Sequence, residues 1–266
     1  MGFADGRRAV GMYTADVSGA ERITPHMTRV TFCGDDLTRL PVRGYDQWFR
    51  LFLPHPGGVT DFDAVPDHFT FGSYLKYLAA ASGTRPPFRN YTIREHRPDA
   101  GELDVDFVAH GGSGVAGPWA QRAKAGERVA MIDQGRGFDP IGNTESVLLV
   151  GDESALPAIA GILRDLPPER QGVAIIEIPD AADKQELRAP TGVQVRWLVR
   201  DDPHARPGVQ ALEHAREYTP DRPETLHAYL AGEQRLVAES RRHLVASGVP
   251  KARISFTGYW KAGRAG

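Results

Sequence analysis

Two rhythms of apolar residues divide the chain. In residues 28–132, short runs of β-branched and aromatic residues at 29–32, 48–53, 91–95, 103–109 and 128–132 are separated by Gly and Pro. Such runs predict strands. Residues 103–108, Leu-Asp-Val-Asp-Phe-Val, alternate as a strand with one buried and one wet face does. The first half therefore reads as a small antiparallel β-barrel.

After Gly142 the pattern becomes continuous apolar strands followed by helical stretches. Strands are predicted at 147–150, 173–178, 195–199, 228–231 and 254–256, with helices at 155–166 and 233–246. That alternation predicts a parallel sheet with helices on both faces, an α/β domain of the nucleotide-binding type. Turn-forming residues cluster at 139–143, so the boundary is placed between a first domain, 1–141, and a second, 142–266. Residues 201–223, rich in Pro, Arg and His, read as a long surface excursion.

Composition narrows the chemistry. A chain of 266 residues with 41% hydrophobic and 25% charged residues has room for a substantial core. A net charge of -2 gives no global attraction to nucleic acid or anionic membranes. Cys33 is the only cysteine, which excludes an internal disulfide, a cysteine-ligated zinc site and a cysteine-held iron–sulfur cluster within one chain. Redox chemistry would need a bound organic cofactor, or a metal arriving with the substrate. The region from Ala9 to Thr24 carries Asp16, Ser18, Glu21 and Arg22 instead of an apolar signal core, and no apolar run approaches the roughly 20 residues of a membrane helix. A cytoplasmic protein is the expectation.

The run Arg89-Asn90-Tyr91-Thr92-Ile93-Arg94 offers three kinds of contact to a flavin. An arginine fork matches a pyrophosphate, a tyrosine ring lies against an apolar cofactor, and a threonine hydroxyl reaches a ring nitrogen. On a strand, Arg89, Tyr91 and Ile93 share one face and Thr92 and Arg94 the other. The alternative is an exposed edge strand with solvated arginines.

Five further strings occur in order: Asp106-Phe107-Val108-Ala109-His110-Gly111, Gly117-Pro118-Trp119-Ala120, Gly151-Asp152-Glu153-Ser154-Ala155-Leu156-Pro157-Ala158, Ala231-Gly232-Glu233 and Gly258-Tyr259-Trp260. With the barrel, the α/β domain and the Arg-x-Tyr-Thr strand, they resemble the siderophore-interacting proteins, FAD-dependent ferric-siderophore reductases of the vibriobactin-utilisation type within the ferredoxin-NADP reductase superfamily. The resemblance runs from about Ile23 to Gly263. It implies an FAD-binding barrel and an NAD(P)H-binding-like domain whose C-terminal segment returns to the flavin.

On that resemblance, FAD would be bound by Arg89, Tyr91, Thr92, Asp106, Val108, His110, Gly114, Ala116, Gly117, Trp119, Gly151, Asp152, Gly232 and Trp260. Pro118 suits a first helical position, and the loop before it could present N–H groups to a pyrophosphate. The family commonly reads Gly-Pro-Ala-Ser where this chain has Gly114-Val115-Ala116-Gly117, so backbone N–H groups would replace a hydroxyl. His110 is either a flavin neighbour or a satisfied core histidine. Asp152 and Glu153 stand where a dinucleotide fold places glycines, which weakens the case for tight NADPH binding; either could instead cap the helix beginning near Ala155. Glu233 reads as a first-turn acid. Tyr259 and Trp260 either cover the flavin or pack the C-terminus onto the barrel.

Ferric siderophores are bulky, oxygen-rich and often anionic, so Arg50, Arg136 and Lys261 are the candidate substrate cations, with Arg94 and Arg264 behind them. Taken singly, each such cation is more often a solvated surface residue than a ligand. The implied activity is FAD-dependent reduction of ferric siderophores, with electrons from NADH, NADPH or a ferredoxin and no protein acid, base or nucleophile. Two alternatives stay open: an NAD(P)H-dependent flavin reductase serving an oxygenase or biosynthetic partner, and a non-catalytic flavin-containing siderophore-binding protein.

Overall fold

The computed structural model describes residues 11–66, 71–79, 81–109 and 114–263, without the side chains at 71, 73, 74 and 76. Two compact units emerge: one holds most residues up to 136, the other residues 137 onward together with the short segments 24–27 and 44–46.

The first unit is built on seven strands, β1 (Tyr13–Thr24), β2 (Met27–Cys33), β3 (Trp48–Phe52), β4 (Phe88–Thr92), β5 (Glu95–Arg97), β6 (Glu102–Val108) and β7 (Arg128–Gly135), in the order β4-β3-β7-β1-β2-β6-β5. β1 and β3 each pair antiparallel with β7, as do β3 with β4 and β5 with β6. Alternate positions of these strands fill one core: Tyr13, Ala15 and Val17, then Phe49 and Leu51, then Leu103, Val105 and Phe107, then Val129 and Met131. On the opposite face of β3 and β7, Phe52, Ala130 and Ile132 meet Val65 and Tyr77 in a second cluster. Tyr77 belongs to a helix, α1 (Phe71–Ala79), in the β3–β4 connection.

β1 and α1 lie outside the predicted elements. In β1 only Tyr13, Ala15 and Val17 are buried, while Asp16, Ser18 and Glu21 break the apolar rhythm. The predicted strand over 91–95 is also corrected: β4 stops at Thr92 and β5 starts at Glu95. There the chain changes partner, since Ile93 N–H donates to the Gln47 carbonyl (2.8 Å) and Arg94 N–H to the Asp104 carbonyl (2.9 Å). This change brings the end of β4 to β6 and curls the sheet towards a barrel. A five-residue helix, α2 (Ala116–Ala120), follows β6.

The second unit is a parallel sheet of β8 (Ser146–Gly151), β9 (Gln171–Ile178), β10 (Val193–Val199), β11 (Leu226–Glu233) and β12 (Ile254–Trp260), in the order β10-β9-β8-β11-β12. All eight residues of β11 are buried, as a strand covered on both faces requires. Its helices are α3 (Leu156–Asp165), α4 (Val209–Glu217) and α5 (Gln234–Ala246). The chain steps from β8 outward to β9 and β10, then returns to β11 and β12. Right-handed crossovers in these two directions put α3 on one face and α4 and α5 on the other. Residues of α4 and α5 pack with Leu148, Val150, Ile175, Ala228 and Leu230.

Residues 156–163 of α3 are all buried. A Cβ at Gly161 would stand 2.2 Å from the Tyr45 carbonyl oxygen, so glycine lets the 44–46 segment cross this helix. Tyr45 has a φ of 52°, held by its N–H donating to Asp165 Oδ2 (2.5 Å). α4 corrects the reading of 201–223 as surface excursion: Ala211, Leu212 and Ala215 are buried although the helix is polar overall. β12 is an edge strand. The half-exposed Phe256 ring on it is covered by the Arg241 guanidinium, 4.5 Å from the ring centroid.

Candidate functional site

In the first unit the strand register sorts the predicted flavin contacts. Arg89 pairs with Leu51 and Tyr91 with Phe49, so both lie on the face that carries the main core. Both are half-buried: the Tyr91 ring lies 4.2 Å from Phe107 at 42°, and Arg89 Nη1 donates to the Phe88 carbonyl (2.8 Å). Burial raises the Tyr91 phenol above its ordinary pKa, so it stays protonated. Thr92, buried, pairs with Trp48 on the other face. Arg50 shares that other face, opposite Asn90, with its guanidinium 5.9 Å from the Phe88 ring centroid. Arg50 and the Arg89–Tyr91 pair therefore project to opposite sides of the β3–β4 ladder.

Asp106 is committed within the protein. Its carboxylate takes a bidentate pair from Arg29 (2.7 and 2.9 Å) and lies 3.3 Å from Arg94 Nε. With Arg29 and Arg94 it forms a cluster carrying one net positive charge. Arg94, expected on the face of Thr92, is turned into this cluster because the strand ends before it.

The segment before Trp119 differs from expectation. α2 opens at Ala116, so Pro118 is inside its first turn and not its first residue. Five residues are too few for an appreciable helix dipole. Ala116 and Trp119 are core residues: Trp119 stacks on Phe32 (6.2 Å, 5°), meets Phe107 edge-on (5.7 Å), and donates its indole N–H to Glu127 (2.9 Å). Gly117 is set by packing, since a Cβ there would lie 2.9 Å from the carbonyl oxygen of Val108, the last residue of β6. Gly114 has φ +87° and open space around its Cβ position, so among the described residues of this segment its backbone leaves room for a ligand. His110 lies outside the described residues, as does Arg264.

Arg136 follows β7, and its Nη1 donates to the Arg43 carbonyl (3.1 Å). Arg43 in turn donates to the buried Asp133 (2.7 Å), so Arg136 is anchored to a fixed segment.

In the second unit, reversal of strand order puts β8 beside β11, and ligands of open α/β sheets bind outside the carboxyl ends of strands at such a switch point. Gly151, Asp152 and Gly232 are brought together there. Asp152 is fully buried and accepts the N–H and Oγ–H of Ser154 (2.9 and 2.5 Å), the N–H of Glu233 (2.7 Å) and the indole N–H of Trp260 (3.2 Å). Burial, with the neighbouring Glu153 charge, pushes its pKa up to about 7. A Cβ on Gly232 would stand 2.6 to 2.8 Å from the Asp152 carboxylate, and φ there is +118°. A Cβ on Gly151 would stand 2.5 Å from that of Ala155 and 3.1 Å from the Ala231 carbonyl, so this glycine serves helix–strand packing.

Neither acid caps α3, which starts at Leu156 without a side-chain cap. Glu153 instead ion-pairs with Arg200, whose Nη1 and Nη2 each donate at 2.8 Å, and Arg200 Nη1 also reaches Glu177 (3.2 Å). Glu177 accepts the N–H groups of Gly208 (2.7 Å) and Ala211 (2.9 Å) at the start of α4. Glu233 caps α5 by accepting from Arg235 N–H (2.6 Å) and Leu236 N–H (3.4 Å), and takes Arg206 Nη2 (2.8 Å) and Ala262 N–H (3.3 Å) on its other oxygen. Burial opposes its ionisation, but these partners outweigh burial and hold its pKa below the ordinary value. Trp260 and Ala262 are thus tied to Asp152 and Glu233, while Lys261 between them is exposed. Sequence reasoning missed Arg200, Glu177 and Arg206; their only signal was charge at the ends of apolar strands and within a Pro-rich loop.

Among the described residues no group of three His, Cys, Asp or Glu is placed to hold a metal ion, and no helix is long and apolar enough to cross a membrane.

Comparison with known proteins gives these geometries a family. Residues 16–137 match the siderophore-interacting FAD-binding domain and residues 144–263 the siderophore-interacting protein domain. The ferric vibriobactin reductase ViuB of Vibrio cholerae is 31% identical over 252 residues, covering 91% of this chain and 86% of the relative. The NADPH-dependent ferric-chelate reductase of Escherichia coli is 28% identical over 247 residues, covering 91% and 90%. A siderophore utilization protein from T. fusca, of known crystal structure, superimposes with a TM-score of 0.78 at 31% identity over 97% of both chains. With matched domains along both units and a relative above 30% identity over nine-tenths of this chain, the chain belongs to the siderophore-interacting protein family.

Proposed function

We propose that this chain is an FAD-dependent oxidoreductase that reduces ferric siderophores and releases iron(II) in the cytoplasm. The observation that carries the reading is the placement of Arg89 and Tyr91, half-buried on one face of β4 in the unit matched to a siderophore-interacting FAD-binding domain. The named activities of the V. cholerae and E. coli relatives support it.

The donor set fits a flavin. Arg89 would hold the pyrophosphate with its planar fork, and the Tyr91 ring would lie against the isoalloxazine. Gly114 leaves space for close backbone approach. When bound, FAD would supply the redox chemistry that links a two-electron donor to a one-electron ferric acceptor. Iron is substrate here. Hard oxygen ligands that suit the trivalent ion hold the divalent ion less tightly, so reduction is release. The protein's part is to hold and orient: Arg29 and Asp106 fix Arg94, while Arg50 and Arg136 on the first unit and Lys261 on the second are each a candidate source of positive charge for an anionic substrate.

The test is an anaerobic visible spectrum of the FAD-loaded protein, taken after reduction and again after a ferric siderophore with an iron(II) trap. Flavin colour returning as trapped iron(II) accumulates supports the reading. Fast turnover of free FAD with no gain from the ferric substrate would favour a flavin reductase, and binding of intact ferric complex without electron transfer would favour a carrier.

A further inference from the structure

We propose that the α/β unit of this chain has no seat for a dinucleotide pyrophosphate at its switch point, because its own carboxylates and backbone carbonyls already occupy the N–H groups there. The inference rests on the reductase reading above, and concerns how the electron donor is held.

A dinucleotide fold binds pyrophosphate with backbone N–H groups at the first strand-to-helix turn, where glycines let the phosphates approach. Here the turn after β8 carries Asp152, whose carboxylate takes the N–H of Ser154 and, across the switch point, that of Glu233. Glu233 takes the N–H groups of Arg235 and Leu236 at the start of α5. Glu177 takes those of Gly208 and Ala211 at the start of α4. Glu233 and Glu177 thus satisfy the starts of α5 and α4 from within, and the turn into α3 is closed by backbone, Ala155 N–H donating to the Asp152 carbonyl (2.9 Å) and Leu156 N–H to the Glu153 carbonyl (3.4 Å). Each of these carboxylates is buried, so none is a surface group that swings aside for a ligand.

Charge points the same way. Asp152, Glu153, Glu177 and Glu233 converge on this edge against Arg200 and Arg206, and both guanidiniums are committed to those acids. A pyrophosphate would meet net negative charge and spent donors. The glycines that remain have other duties: Gly151 admits α3 and β11, and Gly232 admits the Asp152 carboxylate. The Trp260 indole and Ala262 N–H fill further acceptor positions of the two acids, so the C-terminal segment stands as an internal occupant of this edge. An electron donor, nicotinamide or protein, is therefore engaged without a pyrophosphate anchor here.

The experiment is an amide-resolved NMR titration of the FAD-loaded protein with NAD+, NADP+ and ADP-ribose, in the parent and in Trp260→Phe. The expected result is no saturable shift of the Ser154, Gly208, Ala211, Glu233, Arg235 or Leu236 amides up to about 5 mM ligand, weaker than the millimolar end of the affinity scale. Trp260→Phe is expected to behave the same, because carboxylates and not the indole hold the donors. Saturation with a sub-millimolar midpoint and shifts at Ser154 and Glu233 would overturn the proposal; saturation appearing only in Trp260→Phe would overturn it too, revealing an intact seat merely covered by the C-terminus. In parallel, protein reduced with dithionite is mixed with ferric siderophore. Failure of that transfer would sink the reductase reading while leaving the nucleotide result to stand by itself.

Discussion

Asp152 and Glu233 are 81 residues apart in sequence, yet the Asp152 carboxylate accepts the Glu233 N–H at 2.7 Å, tying the end of β8 to the end of β11. Gly232 makes the approach possible. Gly232→Ala puts a side chain at φ +118° and drives its Cβ into that carboxylate. A loss of about 2 to 4 kcal/mol is expected, against about 1 kcal/mol for Gly114→Ala, which has a positive φ but open space. Urea unfolding midpoints of the two variants check the difference.

The pKa of Asp152, raised to about 7, sets a pH window. Between its ordinary value near 4 and about 7 the folded protein holds a proton that the unfolded chain has lost, so this group's contribution to stability falls as pH rises through that range. Asp152→Asn removes the titration. Melting temperatures of the variant, followed from pH 4 to 8, are expected to rise with pH relative to those of the parent.

His227 works in the opposite sense. Burial, aided by the Arg253 charge, lowers its pKa from 6.5 to about 4, and its ring packs edge-on against Phe138. Between those values the unfolded chain holds the extra proton, so stability is lost as pH falls. His227→Gln is expected to resist acid better than the parent between pH 6.5 and 4, read by the same melting series. The two groups mask one another in the parent, and each single variant unmasks the other's slope.

Arg200 holds two buried acids. Arg200→Met leaves Glu153 and Glu177 facing each other without a cation, and a loss of about 3 to 5 kcal/mol is expected. Replacing all three by apolar residues of similar volume is expected to recover only part of it, because the Gly208 and Ala211 N–H groups then lose their Glu177 acceptor, as chemical denaturation of the single and triple variants would show.

Flavin affinity separates the two classes of predicted contact in the first unit. Arg89→Ala is expected to weaken FAD binding by about 10- to 150-fold, the worth of a charge-assisted hydrogen bond, with little change in melting temperature. Trp119→Phe removes the indole N–H bond to Glu127 and is expected to lower stability by about 1 kcal/mol while sparing FAD affinity. Flavin fluorescence titration and thermal melts, run on both variants, check the assignment.

The architecture was legible because its strands are either alternating or continuously apolar, and Arg89 and Tyr91 could be put on one face from spacing alone. What escaped had weak local signals. β1 buries only three side chains, and α4 opens behind a Pro-rich loop with its cap supplied by Glu177, far away in sequence. Trp119 looked like a cofactor residue because motif order says nothing about which way an indole points; the core between Phe32 and Phe107 claims it. Asp152 and Glu153 read as helix caps because their partners, Glu233 N–H and Arg200, are set by the fold. Motifs located the switch point, and only tertiary contacts told what its acids do.

The buried Glu153–Arg200–Glu177 cluster also bears on how the fold responds to heat. Water solvates charged groups with a strongly unfavourable entropy, so the cost of stripping hydration from three ions shrinks as temperature rises, while apolar stabilisation levels off. The cluster weighs most heavily against folding in the cold and least when warm. A protein built around it loses less of its stability on heating than its apolar contacts alone would allow.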